Sequence, residues 1–331
     1  MSIKVVVTDY IEPDMEWETA EFAKLGVEFS HHQLKFAPVA DVIAATADAD
    51  VVVVNMVPIT PEVIAAWKKC RLVIRHGAGY DNVNVPALTE RGIPLCYTPD
   101  YCSEEVAEQA IALLFACGRK VFRSRKTLDD SIANGKWDFT DVIPIYRMEG
   151  KTLGILGCGR IGSIVLRKLR TFGFKFLACD PYLSEERRKE LDVELVDLET
   201  LLRNADFVTI HTPLNDETRG MINAKTLALM KSTAFLVNTA RGPIVDANAL
   251  AEALKNGVLA GAGIDVFDKE PPDPDYPLQD LPNAVLTPHL AWYSEDAGQR
   301  IREIIVEEVG RYLKGLPPRY TVNKEVLKAK V

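Results

Sequence analysis

Lys151–Ile164, KTLGILGCGRIGSI, decides the fold. Its first half is a short apolar run, Thr152–Leu156, and its second places Gly157, Gly159 and Gly162 at G-x-G-x-x-G spacing. That combination predicts a strand turning directly into a helix. Gly157 permits the sharp turn, Gly159 removes a side chain where a pyrophosphate would approach, and Gly162 lets the helix lie close on its strand. The first helical turn then offers unbonded N–H groups and the positive end of its dipole to an anion. Glycine-rich turns that bind nothing share this spacing, so the next apolar run matters. Phe174–Cys179 ends at Asp180, close to the ~20-residue interval at which an acidic residue meets the ribose hydroxyls of a bound dinucleotide. The stretch reads as a βαβ unit built around a dinucleotide.

At 331 residues the chain exceeds one ordinary domain, and 47% hydrophobic residues suffice for two cores. A net charge of −8, with both signs interspersed, argues against nucleic acid as a partner, since non-specific binding there needs basic surface. Cys70, Cys96, Cys102, Cys117, Cys158 and Cys179 show no C-x-x-C spacing and mostly sit in apolar runs. They read as reduced, buried thiols, with neither disulfides nor a metal site expected. The chain opens on a strand-like run, Ile3–Val7, without a basic leader, and no apolar run approaches the ~18 residues of a membrane span. The cytoplasm is the expected location.

Outward from the fingerprint, Ile3–Thr8, Val27–Ser30, Asp50–Asn55, Leu72–Arg75 and Pro94–Tyr97 are strand candidates separated by helical patterns, the alternation of a parallel sheet covered on both faces. Thr60 before Pro61 marks a helix start, and Gly92 a helix end. The loop Arg75–Asp81, RHGAGYD, is either a plain turn or an anion trap made of the N–H groups of Gly77, Ala78 and Gly79. From Ser103 a long helical run extends to Arg123, apolar nearly all round its middle, which suits a domain crossing or a subunit interface. A more polar helix is expected over Lys126–Asp138 and a loop over Thr140–Glu149.

Beyond the fingerprint, strands are expected at Phe207–Ile210, Ala234–Asn238, Gly261–Val266 and Val285–Thr287, completing a second doubly wound sheet. Their ends carry His211-Thr212-Pro213, Thr239-Ala240-Arg241-Gly242, Asp265 and Pro288-His289. Ligands of open α/β sheets bind outside the carboxyl ends of strands, so these groups should converge on the cofactor crevice. Singly, Arg241 suits a surface ion pair, Glu270 before Pro271-Pro272 a solvated turn, and His289 a packed imidazole. Together they offer a planar fork for a carboxylate, a proton carrier working near neutrality, and an acid to orient it. An enzyme reducing a 2-oxo acid with a nicotinamide needs those three roles. The final amphipathic helix, Ser294–Leu313, reads as returning to the first domain.

Six segments in order, GCGRIG at 157–162, Asp180, HTPLNDET at 211–218, LVNTARGPIVD at 236–246, GAGIDVFDKEP at 261–271 and TPHLAW at 287–292, resemble the D-isomer-specific 2-hydroxyacid dehydrogenases. FGFKFLACDPYLS at 172–184 and PHLAWYSE at 288–295 are most similar to the C-terminal binding protein branch. The resemblance implies an α/β chain of two doubly wound parallel-sheet domains, a Rossmann-type nucleotide domain of residues 102–291 inserted into a flavodoxin-like substrate domain of 1–101 and 292–331. A cleft closing over substrate and homodimers paired through the nucleotide domain are implied as well. NAD would be the cofactor, contacted by Gly157, Gly159, Arg160, Ile161, Gly162, Asp180, Thr212, Pro213, Thr218, Thr239, Ala240 and Asp265. Arg241 would bind the substrate carboxylate and carbonyl, His289 would be the acid/base and Glu270 its partner. Gly77, Ala78 and Gly79, with Trp292, would complete the substrate site. Arg75 is the candidate for an extra phosphate if the enzyme is of the phosphoglycerate dehydrogenase type, and His76 either contacts substrate or packs. The remaining alternative is an NAD(H)-dependent scaffold that binds partner peptides.

Overall fold

A computed structural model describes residues 2–328. The chain divides into two compact units, one made of residues up to Cys102 together with those from Ser294 onward, the other of Ser103–Tyr293. These divisions fall one and two residues beyond the boundaries expected from sequence, and they leave Trp292 in the inserted unit.

The first unit alternates β1 (Lys4–Val7), α1 (Glu16–Lys24), β2 (Glu28–His31), α2 (Val39–Thr46), β3 (Val51–Val54), α3 (Pro61–Ala66), β4 (Leu72–Arg75), α4 (Val85–Glu90) and β5 (Leu95–Cys96). All five strands are parallel, in the order β2-β1-β3-β4-β5, which is the flavodoxin-like winding. β3 and β4 are buried along their whole length, as continuous apolar runs of a sheet covered on both faces must be. Val42, Val63, Ile64 and Leu88 cover one face. The other is covered by Phe22 and by Ile301, Ile305 and Val309 of the helix Glu295–Leu313 near the C-terminus.

The second unit opens with α5 (Ser103–Gly118) and α6 (Val121–Asn134). There follow β6 (Thr152–Leu156), α7 (Arg160–Leu169), β7 (Lys175–Cys179), α8 (Glu185–Leu191), β8 (Glu194–Leu195), α9 (Leu198–Asn204), β9 (Phe207–Ile210), α10 (Ala224–Leu227), β10 (Phe235–Asn238), α11 (Ala247–Lys255), β11 (Gly261–Ile264) and β12 (Ala284–Leu286). Its seven strands are parallel in the order β12-β11-β10-β9-β6-β7-β8, a Rossmann-type sheet whose winding reverses between β6 and β9. The chain then returns to the first unit as α12 (Glu295–Leu313) and α13 (Glu325–Lys328). No helix among the described residues is long and apolar enough to cross a membrane. All six cysteines are free, five of them buried and Cys179 half-buried.

Two expectations about the helices change. The long helix ends at Gly118, not Arg123, because Lys120 adopts a left-handed conformation (φ 51°) with its N–H bonded to the Cys117 carbonyl at 3.0 Å, and α6 begins one residue later. The excess apolar surface also lies elsewhere. α5 buries Ala107, Ala110, Leu113 and Leu114 within its own unit, whereas α6 buries no residue at all.

Candidate active site

The fingerprint loop has the geometry that its glycines require. Gly157 has φ +88°, and a Cβ there would come within 2.9 Å of the His211 carbonyl and the Thr212 nitrogen. A Cβ at Gly162 would collide with the Gly157 carbonyl oxygen, so strand and helix can approach this closely only without it. Gly159 precedes α7 and supplies no side-chain cap, and nothing lies within 4 Å of where its Cβ would be. The position is open to a ligand. Asp180, at the end of β7, is partly exposed and accepts hydrogen bonds from the Cys158 N–H at 2.9 Å and the Tyr182 N–H at 3.0 Å. Its carboxylate is therefore fixed beside the loop.

Two polar atoms at neighbouring strand ends are shielded from solvent without a hydrogen-bond partner: His211 Nδ1 after β9 and Thr239 Oγ1 after β10. Groups of that kind carry a cost unless a ligand satisfies them. With the bare helix terminus and the oriented Asp180, they make the residues fit a dinucleotide. Thr218 is engaged otherwise: its hydroxyl donates to the Pro213 carbonyl at 2.7 Å and accepts from the Asn215 N–H at 2.9 Å, which closes the turn carrying Thr212 and Pro213.

The turn after β12 brings His289 to Glu270. Both oxygens of Glu270 lie within hydrogen-bond distance of His289 Nδ1, at 2.9 and 2.8 Å. Nδ1 is thus the protonated nitrogen, and Nε2 is left to exchange a proton. Glu270 also accepts from the Phe267 N–H at 3.2 Å. Burial pushes its carboxyl up, but the hydrogen bond and charge of His289, the Phe267 N–H and the Arg241 charge outweigh that and hold it below the ordinary carboxylate range. The pair is only partly enclosed, with 34% of the His289 and 23% of the Glu270 side chain exposed.

His289 has φ +55°, a conformation that non-glycine residues adopt only when their surroundings impose it. Asp265 supplies the constraint. It is fully buried; its carbonyl accepts the His289 N–H at 2.7 Å, and its carboxylate accepts the Leu290 N–H at 3.0 Å, the Ala291 N–H at 2.9 Å and the Thr287 hydroxyl. Besides the cofactor contact expected from the resemblance, Asp265 shapes the histidine turn. Arg241 follows β10, with one guanidinium nitrogen 2.8 Å from the Ala240 carbonyl, while Asn238 accepts the Ala240 N–H and donates to the Arg241 carbonyl. A Cβ at Gly242 would strike the Phe267–Asp268 peptide, so the loops carrying Arg241 and Glu270 lie against each other.

His211 is a second histidine at a strand end. Part of the residue reaches the surface, yet burial of its ring pushes it down to about 3, so it stays neutral at any ordinary working pH. His289, by contrast, has a carboxylate against its Nδ1. Trp292, half-buried, packs edge-on against Tyr293, ring centroids 5.2 Å apart.

In the first unit, Gly77 follows β4 with its N–H already donated to the Arg75 carbonyl at 2.9 Å and to Thr98 Oγ1 at 3.0 Å, and its carbonyl accepts the Thr98 N–H at 3.1 Å. The half-buried Ala78 and Gly79 donate no hydrogen bond within the described protein. Of the three N–H groups expected to trap an anion, two are available. Arg75 is buried, hydrogen-bonded to Asn55 Oδ1 at 3.3 Å and to the His76 carbonyl.

Comparison with known proteins now settles the family. Residues 111–291 match the model of the D-isomer specific 2-hydroxyacid dehydrogenase NAD binding domain. The chain belongs to the D-isomer specific 2-hydroxyacid dehydrogenase family. Membership makes it an NAD-dependent oxidoreductase with its nucleotide site in the second unit. It is 42% identical over 293 residues to a glyoxylate reductase of Korarchaeum cryptofilum, covering 87% of each chain. It is 40% identical over 273 residues to a D-3-phosphoglycerate dehydrogenase of Archaeoglobus fulgidus, covering 82% of this chain and 51% of that one. Among solved structures, the TT0316 protein from Thermus thermophilus superposes with a TM-score of 0.86 at 33% identity, covering 97% of this dehydrogenase and all of its own length.

Proposed function

We propose that the protein interconverts a small, unphosphorylated D-2-hydroxy acid and its 2-oxo acid with NAD(H). The observation that carries this is the Glu270 carboxylate 2.8 Å from His289 Nδ1, on a turn built to hold that imidazole. Bound NAD(H) supplies or accepts the hydride. In reduction, His289 Nε2–H gives a proton to the carbonyl oxygen while Glu270 stabilises the imidazolium; in oxidation the same nitrogen takes the hydroxyl proton. Arg241 addresses the carboxylate and the carbonyl oxygen through separate N–H groups, orienting C2 and stabilising charge on the oxygen. Ala78 and Gly79 offer their N–H groups to a substrate carboxylate, and Trp292 is the aromatic side chain proposed beside the substrate.

Arg75 speaks against a phosphate on the substrate. It is buried and bonded to Asn55 and to the loop backbone, an arrangement that stiffens the loop and turns the guanidinium away from the role of phosphate ligand. The C-terminal binding protein-like scaffold reading has no such observation behind it. NADH oxidation with a panel of 2-oxo acids tests both points: turnover of glyoxylate, hydroxypyruvate or pyruvate is expected, and tight NADH binding without turnover of any acid would favour the scaffold.

We propose a homodimer through the second unit. α6 buries no residue, and Phe122, Ile132, Trp137 and Phe139 on and after it are exposed, Ile132 at 71% and Trp137 at 82%. Apolar groups massed like this on one helix and its continuation mark an interface. Lys120, Arg147 and Lys151 line a cavity of the same unit, and Asp138 and Asp141 flank the exposed aromatics, so a second copy would find opposite charges to pair with.

A further inference from the structure

The loop after β4 is tied down from the ends of three other strands, β5, β3 and β1. From the β5 side, fully buried Thr98 takes both polar groups of Gly77. From the β3 side, Asn55 accepts from Arg75, and Asn82 of the loop donates to the carbonyls of Asn55 and Val57 at 2.9 and 3.0 Å. From the β1 side, Glu12 Oε1 meets His76 Nε2 at 3.2 Å, with 9% and 6% of the two side chains exposed. The His76 N–H continues the sheet ladder to the Val54 carbonyl at 2.8 Å. The next two N–H groups along the chain after Gly77 are the unbonded ones of Ala78 and Gly79.

The Glu12–His76 contact differs from the other ties in joining two titratable side chains that are both enclosed. Burial pushes the Glu12 carboxyl up, yet the His76 hydrogen bond and charge, with the N–H groups of Glu12 and Ile11, bring it down to about 2. A buried pair of this kind rarely stabilises a fold more than apolar groups of the same size would, so its presence here calls for a task that depends on direction. Direction is what the adjoining backbone needs. Gly77 has φ +151°, and a Cβ there would come 2.5 Å from the Arg75 guanidinium, so the chain turns at this point and the residue before it fixes where the next two N–H groups aim.

We propose that Glu12 and His76 are positioning residues for the anion loop: their buried contact fixes the aim of the Ala78 and Gly79 N–H groups and thereby sets the affinity for the substrate carboxylate without touching it. The inference rests on the reading above, that this loop receives the carboxylate. It assigns His76, which sequence left between contact and packing, to neither. Glu12 carries no sequence motif and is found only through its contact with His76.

The test uses the full-length protein loaded with NADH. Glu12→Gln, His76→Gln and the double variant are compared for kcat and KM with the best 2-oxo acid, for the Kd of oxamate by NADH fluorescence, and for the Kd of NADH. Each single variant should raise KM and the oxamate Kd roughly tenfold while kcat and the NADH Kd stay within about twofold, the pattern of lost uniform binding. The double variant should be no worse than the worse single one, because each change breaks the same tie. Unchanged KM and oxamate Kd, or equal losses in NADH affinity and kcat, overturn the proposal. If the neutral variants fail to fold, Glu12→Asp keeps the charge with a shorter reach, and an unchanged KM there overturns it equally. A wild-type protein that binds no oxamate and turns over no 2-oxo acid brings down the underlying reading first, and the inference with it.

Discussion

Replacing Glu270 by Gln removes one charge and keeps the shape, which makes the size of its effect calculable. The two carboxylate oxygens sit 2.9 and 2.8 Å from His289 Nδ1. At about 2.8 Å a unit charge pair is worth about 1.5 kcal/mol in a water-like medium and about 6 kcal/mol at an effective dielectric constant of about 20. With 34% and 23% of the two side chains exposed, solvent screens the pair, and the lower figure is the one to use. It corresponds to about one pH unit. Reduction requires the protonated imidazole, and Gln no longer stabilises that form, so the proton leaves at lower pH and the basic limb of the kcat/KM profile should move about one unit to lower pH. Glu270 is itself held below its ordinary range, so its titration lies well away from this limb. The assay is NADH oxidation against pH with saturating NADH, with NADH affinity measured in parallel as a control. A limb that stays within about 0.3 unit of wild type refutes the coupling, since that corresponds to less than about 0.5 kcal/mol.

Asp180→Ala should narrow the ratio of kcat/KM for NADH over NADPH, because the carboxylate that would repel a 2′-phosphate is gone; an unchanged ratio would remove Asp180 from cofactor choice. Arg241→Lys should lower kcat as well as raise KM, since lysine keeps the charge but loses the fork; near-wild-type turnover with a small loss of melting temperature would return Arg241 to a surface ion pair worth ~0–1 kcal/mol. Gly162→Ala should cost about 1–3 kcal/mol by forcing a Cβ onto the Gly157 carbonyl and should weaken NADH binding, both readable in melting curves with and without NADH. Glu12, held at about 2, contributes stability above its ordinary value near 4.5 that is lost as pH falls through about 2, so the melting-temperature gap between wild type and Glu12→Gln should close over that acid window.

Strand positions were legible because sheets covered on both faces leave continuous apolar runs: Leu72–Arg75 and Phe207–Ile210 read from composition as they fold. β8 was not legible, being two residues at a sheet edge with too little pattern to register. The end of α5 misleads for a packing reason. Gly118 stays helical because its missing Cβ makes room for Met148 and Phe207, and the chain turns two residues later at a lysine that no rule of composition marks. In the site, Arg241, Glu270 and His289 were legible as residue types at strand ends, whereas their arrangement depends on Asp265 and Gly242, whose partners lie in other segments of the chain.

Asp265 belongs to a pattern that explains why motif reading finds reactive groups more readily than what holds them. In the first unit, buried Asp9 at the end of β1 accepts the N–H groups of Asn55 and Met56 after β3, at 3.2 and 2.7 Å. In the second, Asp180 after β7 accepts the Cys158 N–H of the fingerprint loop, and Asp265 after β11 accepts the Leu290 and Ala291 N–H groups of the histidine turn. In each case a carboxylate at one strand end fixes the backbone leaving another strand. A loop at a carboxyl edge has no ladder to satisfy its N–H groups, and an acid from another strand end can take two at once through charge-assisted bonds. The cost of holding the loop is then met during folding, and the N–H and imidazole groups aimed at a ligand need no rearrangement when it arrives. Since these acids lie apart in sequence from the loops they hold, a motif shows the loop and hides its support, which is why Glu12, Asp9 and the structural task of Asp265 emerge only from the fold.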